Sequence, residues 1–107
     1  MSAINDFAHL LEDTEVMRQM IKDLKEEPAR LLGNICREYK RRGQLPVPDY
    51  TLQLVGYMGE TALKALLSAG LITRQSGGAN ALYLYEPTME GLRQYETLEA
   101  DGFYKKK

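Results

Sequence analysis

Four basic side chains lie close together near the middle of the chain, at Arg37, Lys40, Arg41 and Arg42. Clustered arginine and lysine side chains can neutralise neighbouring phosphates of a nucleic acid. Residues 28–48, which contain them, carry five bases and one acid, whereas residues 1–27 carry seven acids and three bases. The same cations also suit the negative end of a helix and then stay solvated. Both interpretations are open from the sequence alone.

The residue patterns of common enzymes are absent. The chain has no HExxH, no pair of cysteines two residues apart and no glycine-rich phosphate loop that follows a strand. The single histidine, His9, has no second histidine or cysteine nearby, so a role as a metal ligand is not expected. The sequence therefore predicts no enzymatic activity and implies no metal and no cofactor.

Length and composition describe one ordinary domain. The chain has 107 residues, a hydrophobic content of 44% and a net charge of −1, so it lacks the strongly basic field of many nucleic-acid-binding proteins. Any DNA binding must come from a local patch. The acidic N-terminus does not have the pattern of a signal peptide, no segment is apolar enough to span a membrane, and one cysteine excludes an internal disulfide. A cytoplasmic location is expected.

Residues 59–88 have the pattern of a short helix followed by a hairpin. Apolar side chains at helical spacing predict one buried face formed by Ala62, Leu63, Leu66 and Leu67. The opposite face is expected to present Glu60, Thr61, Lys64 and Ser68. Gly70 fits a left-handed cap, residues 71–75 and 81–85 alternate as strands around a small-residue tip, and Thr88 fits the N-cap of a last helix starting at Met89.

A second helix is predicted upstream, starting at Glu26-Glu27-Pro28 and continuing to Arg42. Its apolar stripe is the clearest in the chain and consists of Leu31, Leu32, Ile35, Cys36 and Tyr39, which predicts a buried, unreactive thiol. The prolines at 46 and 48 predict a connector over residues 43–48. Asp49 fits the cap of a short helix reaching about Tyr57, and residues 56–59 are expected to form the turn between two helices.

This order of elements, with its LxxLLxxGLI motif, strand, glycine-rich turn, strand and Pro-Thr-x-x-Gly, resembles the second half of a winged helix-turn-helix domain. Transcriptional regulators of the MarR, PadR and ArsR types contain such domains, and the resemblance covers residues 28–95. It implies a mainly α fold with a small β-hairpin, a winged helix-turn-helix core at 27–87 and extra helices within 1–26 and 88–107. Residues 60–69 would be the recognition helix and residues 73–86 the wing.

The resemblance implies a regulator that binds double-stranded DNA as a dimer. Base edges are then expected to be read from Thr61, Lys64 and Ser68, the wing to contribute Arg74 and Asn80, and phosphates to be met by Arg37, Lys40, Arg41 and Arg42. The alternative is a protein interaction module of the same fold that binds through Tyr57, Tyr83, Tyr85 and Tyr95. The sequence does not reveal whether a small-molecule effector binds.

The two ends of the chain have amphipathic patterns of their own. Phe7, Thr14 and Ile21 are seven residues apart, as are Leu10, Met17 and Leu24, which is consistent with a helix that pairs with a second copy or with one that covers the chain's own core. Asp13 and Thr14 also fit N-caps, so the segment could instead form two shorter helices divided near Glu12. The resemblance favours the homodimer. In the last helix the expected stripe is Met89, Leu92, Tyr95 and Leu98, followed by a tail of solvated lysines.

Overall fold

The computed structural model describes residues 3–12, 26–52, 56–78 and 81–105. Within these ranges the chain forms four α-helices, one 3-10 helix at Asp49–Thr51 and a three-stranded antiparallel sheet. The helices are α1 (Ala3–Glu12), α2 (Glu26–Arg41), α3 (Gly56–Ser68) and α4 (Met89–Ala100), and the strands are β1 (Val47–Pro48), β2 (Ile72–Ser76) and β3 (Tyr83–Pro87). The fold is thus mainly α-helical with a small sheet. No helix in these ranges combines the length and apolar character needed to cross a bilayer.

Helix α2 lies at the centre of the packing and contacts the other three helices and the sheet. The apolar stripe predicted for it is confirmed: Leu32, Ile35 and Cys36 are fully buried, Leu31 is nearly so, and Tyr39 is half-buried. The Tyr39 hydroxyl also lies 3.5 Å from a carboxylate oxygen of Glu86 on β3. One core therefore includes side chains from every helix and from the sheet.

Helix α1 is part of this core. Phe7 is completely buried and Ala3 nearly so, while the backbone N–H of Ala3 donates to a carboxylate oxygen of Asp101 at 3.1 Å. That bond satisfies one of the free N–H groups at the start of α1. Since Phe7 packs inside its own chain, this position of the predicted heptad is not available to a second copy. Leu10, the other heptad position in α1, is 37% exposed. The remaining heptad positions fall within residues 13–25, which lie outside the described ranges.

The sheet has the order β1-β3-β2. The predicted hairpin is confirmed, with Arg74 opposite Tyr85 in an antiparallel register. The connector predicted over residues 43–48 is wrong at its end, because Val47 and Pro48 pair with Tyr85 and Leu84. A strand of two residues is too short to show an alternating pattern, and proline is tolerated there because β1 is an edge strand.

The turn predicted at residues 56–59 is also wrong, because these residues form the first turn of α3. Each glycine in a helix costs only about 1 kcal/mol relative to alanine, which tertiary packing readily offsets. Asp49 does not cap a helix; Pro48 precedes the 3-10 helix without a side-chain bond. The Asp49 carboxylate instead accepts a bond of 3.2 Å from the backbone N–H of Tyr83, which ties this segment to β3.

The junction between α3 and α4 is built from local signals that the sequence predicts correctly. Gly70 has a φ of +75°, as a left-handed cap requires, and the Thr88 hydroxyl accepts from the N–H of Gly91 at the start of α4. Thr88 also donates its own N–H to the carbonyl of Leu71 and its hydroxyl to the carbonyl of Gly70, at 3.0 and 2.8 Å. The first turn of α4 is thereby fixed against the start of β2.

The chain folds back onto α2 after α4 ends. The Tyr104 hydroxyl donates to the carbonyl of Ala29 at 2.7 Å, and its ring covers Gly33 in the middle of α2. Phe103 meets Tyr104 edge-on, with 5.1 Å between ring centroids. Of the stripe predicted for α4, Tyr95 and Leu98 are buried and Leu92 is half-buried, but Met89 is 82% exposed, so its inclusion is wrong.

Candidate nucleic-acid interface

The exposed face of α3 is narrower than predicted. Glu60, Lys64 and Ser68 are exposed at four-residue spacing, which places them in one row along the helix. Thr61 was expected on this face, but only 6% of it is exposed, so the expectation is wrong. The reason is that α3 packs against both α2 and β2, and this double contact buries a wider arc than a single apolar stripe. One cation and one acid remain on the row.

Strand β2 extends beyond the core. After the buried Ile72 its next four residues are all exposed, so both faces of the strand reach solvent. Arg74 lies on this projecting part, with its guanidinium carbon 4.5 Å from the centroid of the Tyr83 ring. Burial raises the pKa of Tyr85, and a hydrogen bond with Arg74 opposes the rise. Arg74 is therefore an exposed cation held in place by two tyrosines, while Asn80 lies outside the described residues.

Two of the cations predicted to contact phosphate are paired within α2. The Glu38 carboxylate accepts from both Arg41 and Arg42, with 3.1 Å to Nε of Arg42. The bonds from Arg41 and Arg42 hold the pKa of Glu38 below its ordinary value, and the same contact raises that of Arg41. Surface pairs of this kind contribute little to stability. Their effect here is that an acid lies between the two arginines and reduces their attraction for phosphate.

Arg37 and Lys40 are exposed, and each lies against an aromatic ring. The Arg37 guanidinium carbon is 5.1 Å from the centroid of Tyr104, and the Lys40 nitrogen is 5.2 Å from that of Tyr95. Contacts of this type attract the cation to the ring and fix the side chain. The four-residue cluster predicted from the sequence is thus divided: Arg41 and Arg42 turn to Glu38, and the other two turn to the C-terminal segment.

The structure brings together a group of residues that the sequence analysis does not assign to any site. A cleft of about 440 Å³ is lined by Arg37, Glu99, Tyr104 and Lys105, and a second hollow of about 180 Å³ adds Arg30, Asn34 and Phe103. The repeated polar spacing at 30, 34 and 37 on α2 was the available signal for one wall. Nothing in the sequence pattern places residues 103–105 opposite it.

Two of the four tyrosines proposed as binding anchors are part of the core. Tyr85 and Tyr95 are only 2% and 3% exposed, so they cannot anchor a partner without unfolding, and that expectation is wrong for them. Tyr83 is 40% exposed, and the side chain of Tyr57 lies outside the described residues. Among the described residues the most exposed of the large apolar side chains are instead Leu45, Tyr50, Leu82 and Met89.

Because the Cys36 thiol is buried, the fold becomes less stable at high pH. Burial raises the pKa of Cys36 to about 12 against the opposing effect of Lys40 and Arg37. Because the unfolded chain releases this proton near pH 9 and the folded chain does not, stability is complete below about pH 9 and falls as pH rises towards 12.

We expect the free energy of unfolding to fall by about 2 kcal/mol between pH 8 and pH 10.5 on account of Cys36. Denaturant titrations of the wild type and of Cys36→Ala at both pH values measure this contribution. The alanine variant should show a decrease that is smaller by this amount, since any effect of the tyrosines is common to both proteins. Equal decreases would mean that the thiol titrates alike in both states.

Among the described residues no three histidine, cysteine, aspartate or glutamate side chains are grouped so that they could hold a metal ion. Comparison with known proteins identifies no relative, because no family model, no curated protein and no solved structure matches the chain. A function can therefore be inferred only from the geometry and the charges of the chain itself.

Proposed function

We propose that this chain is a DNA-binding protein of the winged-helix type that acts as a transcriptional regulator. The observation that carries the proposal is the exposed row on α3 beside a hairpin whose polar strand projects from the core. The order of elements supports the fold assignment. Helix α2, strand β1, helix α3 and the β2–β3 hairpin follow one another, and β1 pairs with β3. A helix with an exposed polar face beside a polar hairpin matches a groove and its flanking backbone.

The proposed contacts are few. Lys64 and Ser68 meet the major groove from α3, where Lys64 also neutralises a flanking phosphate, and Arg74 neutralises a second phosphate from the hairpin. Glu60 opposes phosphate on the same row, and Arg41 and Arg42 are shared with Glu38. Two chains binding as a homodimer would double the contacts and place two α3 helices in successive grooves. Such a regulator acts in the cytoplasm, is not an enzyme and uses no cofactor.

A salt titration tests this proposal. With two phosphate contacts from each of two chains, the logarithm of the duplex association constant should fall with the logarithm of salt concentration at a slope of about −4. Fluorescence anisotropy of a labelled duplex measures the slope and, at saturation, should give two chains per duplex. Lys64→Ala should make the slope shallower by about 2, because each chain loses one phosphate contact.

The matched control is Arg93→Ala. Arg93 is an exposed cation on α4 that pairs with Glu90, so its removal changes the net charge equally without touching α3 or the hairpin. The slope of this variant should equal that of the wild type. Absence of duplex binding at about 50 mM salt, where electrostatic binding is strong, would reject the proposal.

A second function is favoured by the exposed apolar side chains near the sheet. Tyr50 and Leu82 are 62% and 79% exposed, and the bond between Asp49 and the Tyr83 backbone brings their segments together. Aromatic and aliphatic side chains of this kind are typical anchors of protein interfaces. A protein interaction module without DNA binding is the function that remains if the duplex titration gives no binding.

A further inference from the structure

A cleft between α2 and the C-terminal segment lies apart from the proposed DNA surface. Of the described residues that line it, none belongs to α3 or to the hairpin, and the two adjoining hollows share Arg37, Tyr104 and Lys105. The larger one has a volume of about 440 Å³, which falls within the range of small-molecule sites. This site is open to solvent and is too small for a folded partner.

Two arginines at the cleft are held in place before any ligand arrives. Arg37 donates to the side-chain oxygen of Asn34 at 2.8 Å and lies over the Tyr104 ring, while Arg30 pairs with Glu26 and lies over Phe103 at 5.5 Å. A guanidinium carries five N–H donors, so those that Arg37 does not use on Asn34 stay available to an anion. Prior ordering of both side chains lowers the entropic cost of binding.

The charge of the lining is positive. Arg37 and Lys105 line both the cleft and the adjoining hollow, and Arg30 lines the hollow. Glu99 is the one acid that lines either among the described residues, and Glu26 offsets part of the charge of Arg30. Tyr104 stays neutral, because burial raises the pKa of its phenol and its proton is donated to the Ala29 carbonyl. Arg30 is paired with Glu26, whereas Arg37 and Lys105 are two cations of the lining that no carboxylate on α2 neutralises.

We propose that this cleft binds a small phosphate-bearing anion, with Arg37 and Lys105 contacting the phosphate and the Tyr104 and Phe103 rings forming the wall beside it. A phosphate presents three acceptor oxygens, so it can accept from the guanidinium and the ammonium group at once. Glu99 lies at the edge of the same cleft and weakens the attraction. Binding at this site uses no residue of α3 or β2, but Arg37 is also one of the cations that the sequence predicts to meet DNA phosphate, so a test has to separate the two.

Titration of the full chain with inorganic phosphate, at ionic strength kept constant with chloride, tests the site by two-dimensional NMR. Saturable shifts are expected at the amides of Arg37, Tyr104 and Lys105. Arg37→Gln should weaken binding about tenfold, as the loss of a charge-assisted hydrogen bond implies. Glu99→Gln should tighten it about threefold, because it removes the one repelling charge in the lining. Arg93→Gln is the control and should leave the affinity unchanged.

Opposite effects of the two neutral substitutions distinguish a built site from general attraction of ions. Shifts that do not saturate, or that are the same in Arg37→Gln, would overturn the proposal. Methyl phosphate in place of inorganic phosphate should bind with similar affinity if the cleft accepts a monoester. A duplex titration of Arg37→Gln completes the test: if DNA binding falls as much as phosphate binding, the cleft is a contact to DNA backbone and the small-ligand proposal is wrong.

Discussion

Replacement of Tyr104 by alanine should lower the free energy of unfolding by about 3 kcal/mol, at the lower end of the range for large aromatic side chains in a core. Tyr104 lies in the last few residues of the chain, where a free tail is the usual expectation. Its ring, however, covers Gly33, contacts Phe103 and lies 5.3 Å from the centroid of Tyr95. Removing it leaves a cavity against α2 and frees Phe103. Denaturant unfolding followed by circular dichroism measures the loss.

Two control variants separate packing from other causes. Tyr104→Phe removes only the hydroxyl that donates to the Ala29 carbonyl, so it should cost about 1 kcal/mol. Tyr50→Ala removes a tyrosine that is 62% exposed and should change stability by less than about 0.5 kcal/mol. A Tyr104→Ala variant as stable as Tyr50→Ala would show that the C-terminal segment does not pack on α2 in solution.

A double-mutant cycle with Gly33 tests whether the Tyr104 ring contacts this position directly. A methyl group at Gly33 would overlap the Tyr104 ring, so Gly33→Ala should destabilise the wild-type protein. In a Tyr104→Ala background that overlap is gone, and alanine should stabilise the helix by about 1 kcal/mol because glycine loses more backbone freedom on folding. The change of sign measures the coupling between the two positions.

The sequence predicts well the elements whose signals are local. The apolar stripe of α2, the glycine at 70 and the cap at Thr88 each depend on residues within a turn or two of one another. The hairpin is predicted for the same reason, since an alternating strand, a small-residue tip and a returning strand are adjacent in the chain. In each case the local preference agrees with the final packing, as is usual for natural sequences.

The errors lie where distant residues decide the structure. Strand β1 exists because β3, more than thirty residues later, offers it a partner. Thr61 is buried because α3 packs against two elements, and periodicity along one helix reveals only the dominant face. Residues 56–59 are helical although two glycines favour a turn, since packing outweighs intrinsic propensity.

The candidate site also combines contacts that local spacing predicts with contacts that distant residues decide. Pairing of Glu38 with Arg41 and Arg42 follows the three- and four-residue spacing of a helix surface and could be read from the sequence. The partners of Arg37 and Lys40 are rings from the other end of the chain, which no local pattern indicates. Spacing therefore identifies which cations lie close together, whereas tertiary contacts decide which of them remain available to a ligand.

Gly91→Ala should destabilise the protein by about 3 kcal/mol, although the same exchange in an open helix is stabilising by about 1 kcal/mol. A methyl group at Gly91 would overlap the carbonyl oxygen of Leu71, and backbone cannot move aside as the tip of a side chain can. Relief of the overlap requires α4 to shift from β2, which strains both bonds from Thr88 to that segment. Thermal and denaturant unfolding measure the effect.

The control for Gly91→Ala is Gly78→Ala, because the surroundings of Gly78 leave room for a methyl group. A methyl group at Gly78 meets no atom within 4 Å, and no unusual backbone angle restricts that position, so Gly78→Ala should stay within about 0.5 kcal/mol of the wild type. Gly91→Ser introduces the same Cβ as Gly91→Ala and should be equally destabilising. A stable Gly91→Ala variant would mean that α4 lies farther from Leu71 than described, and the anchoring of the first turn of α4 by Thr88 would then be wrong as well.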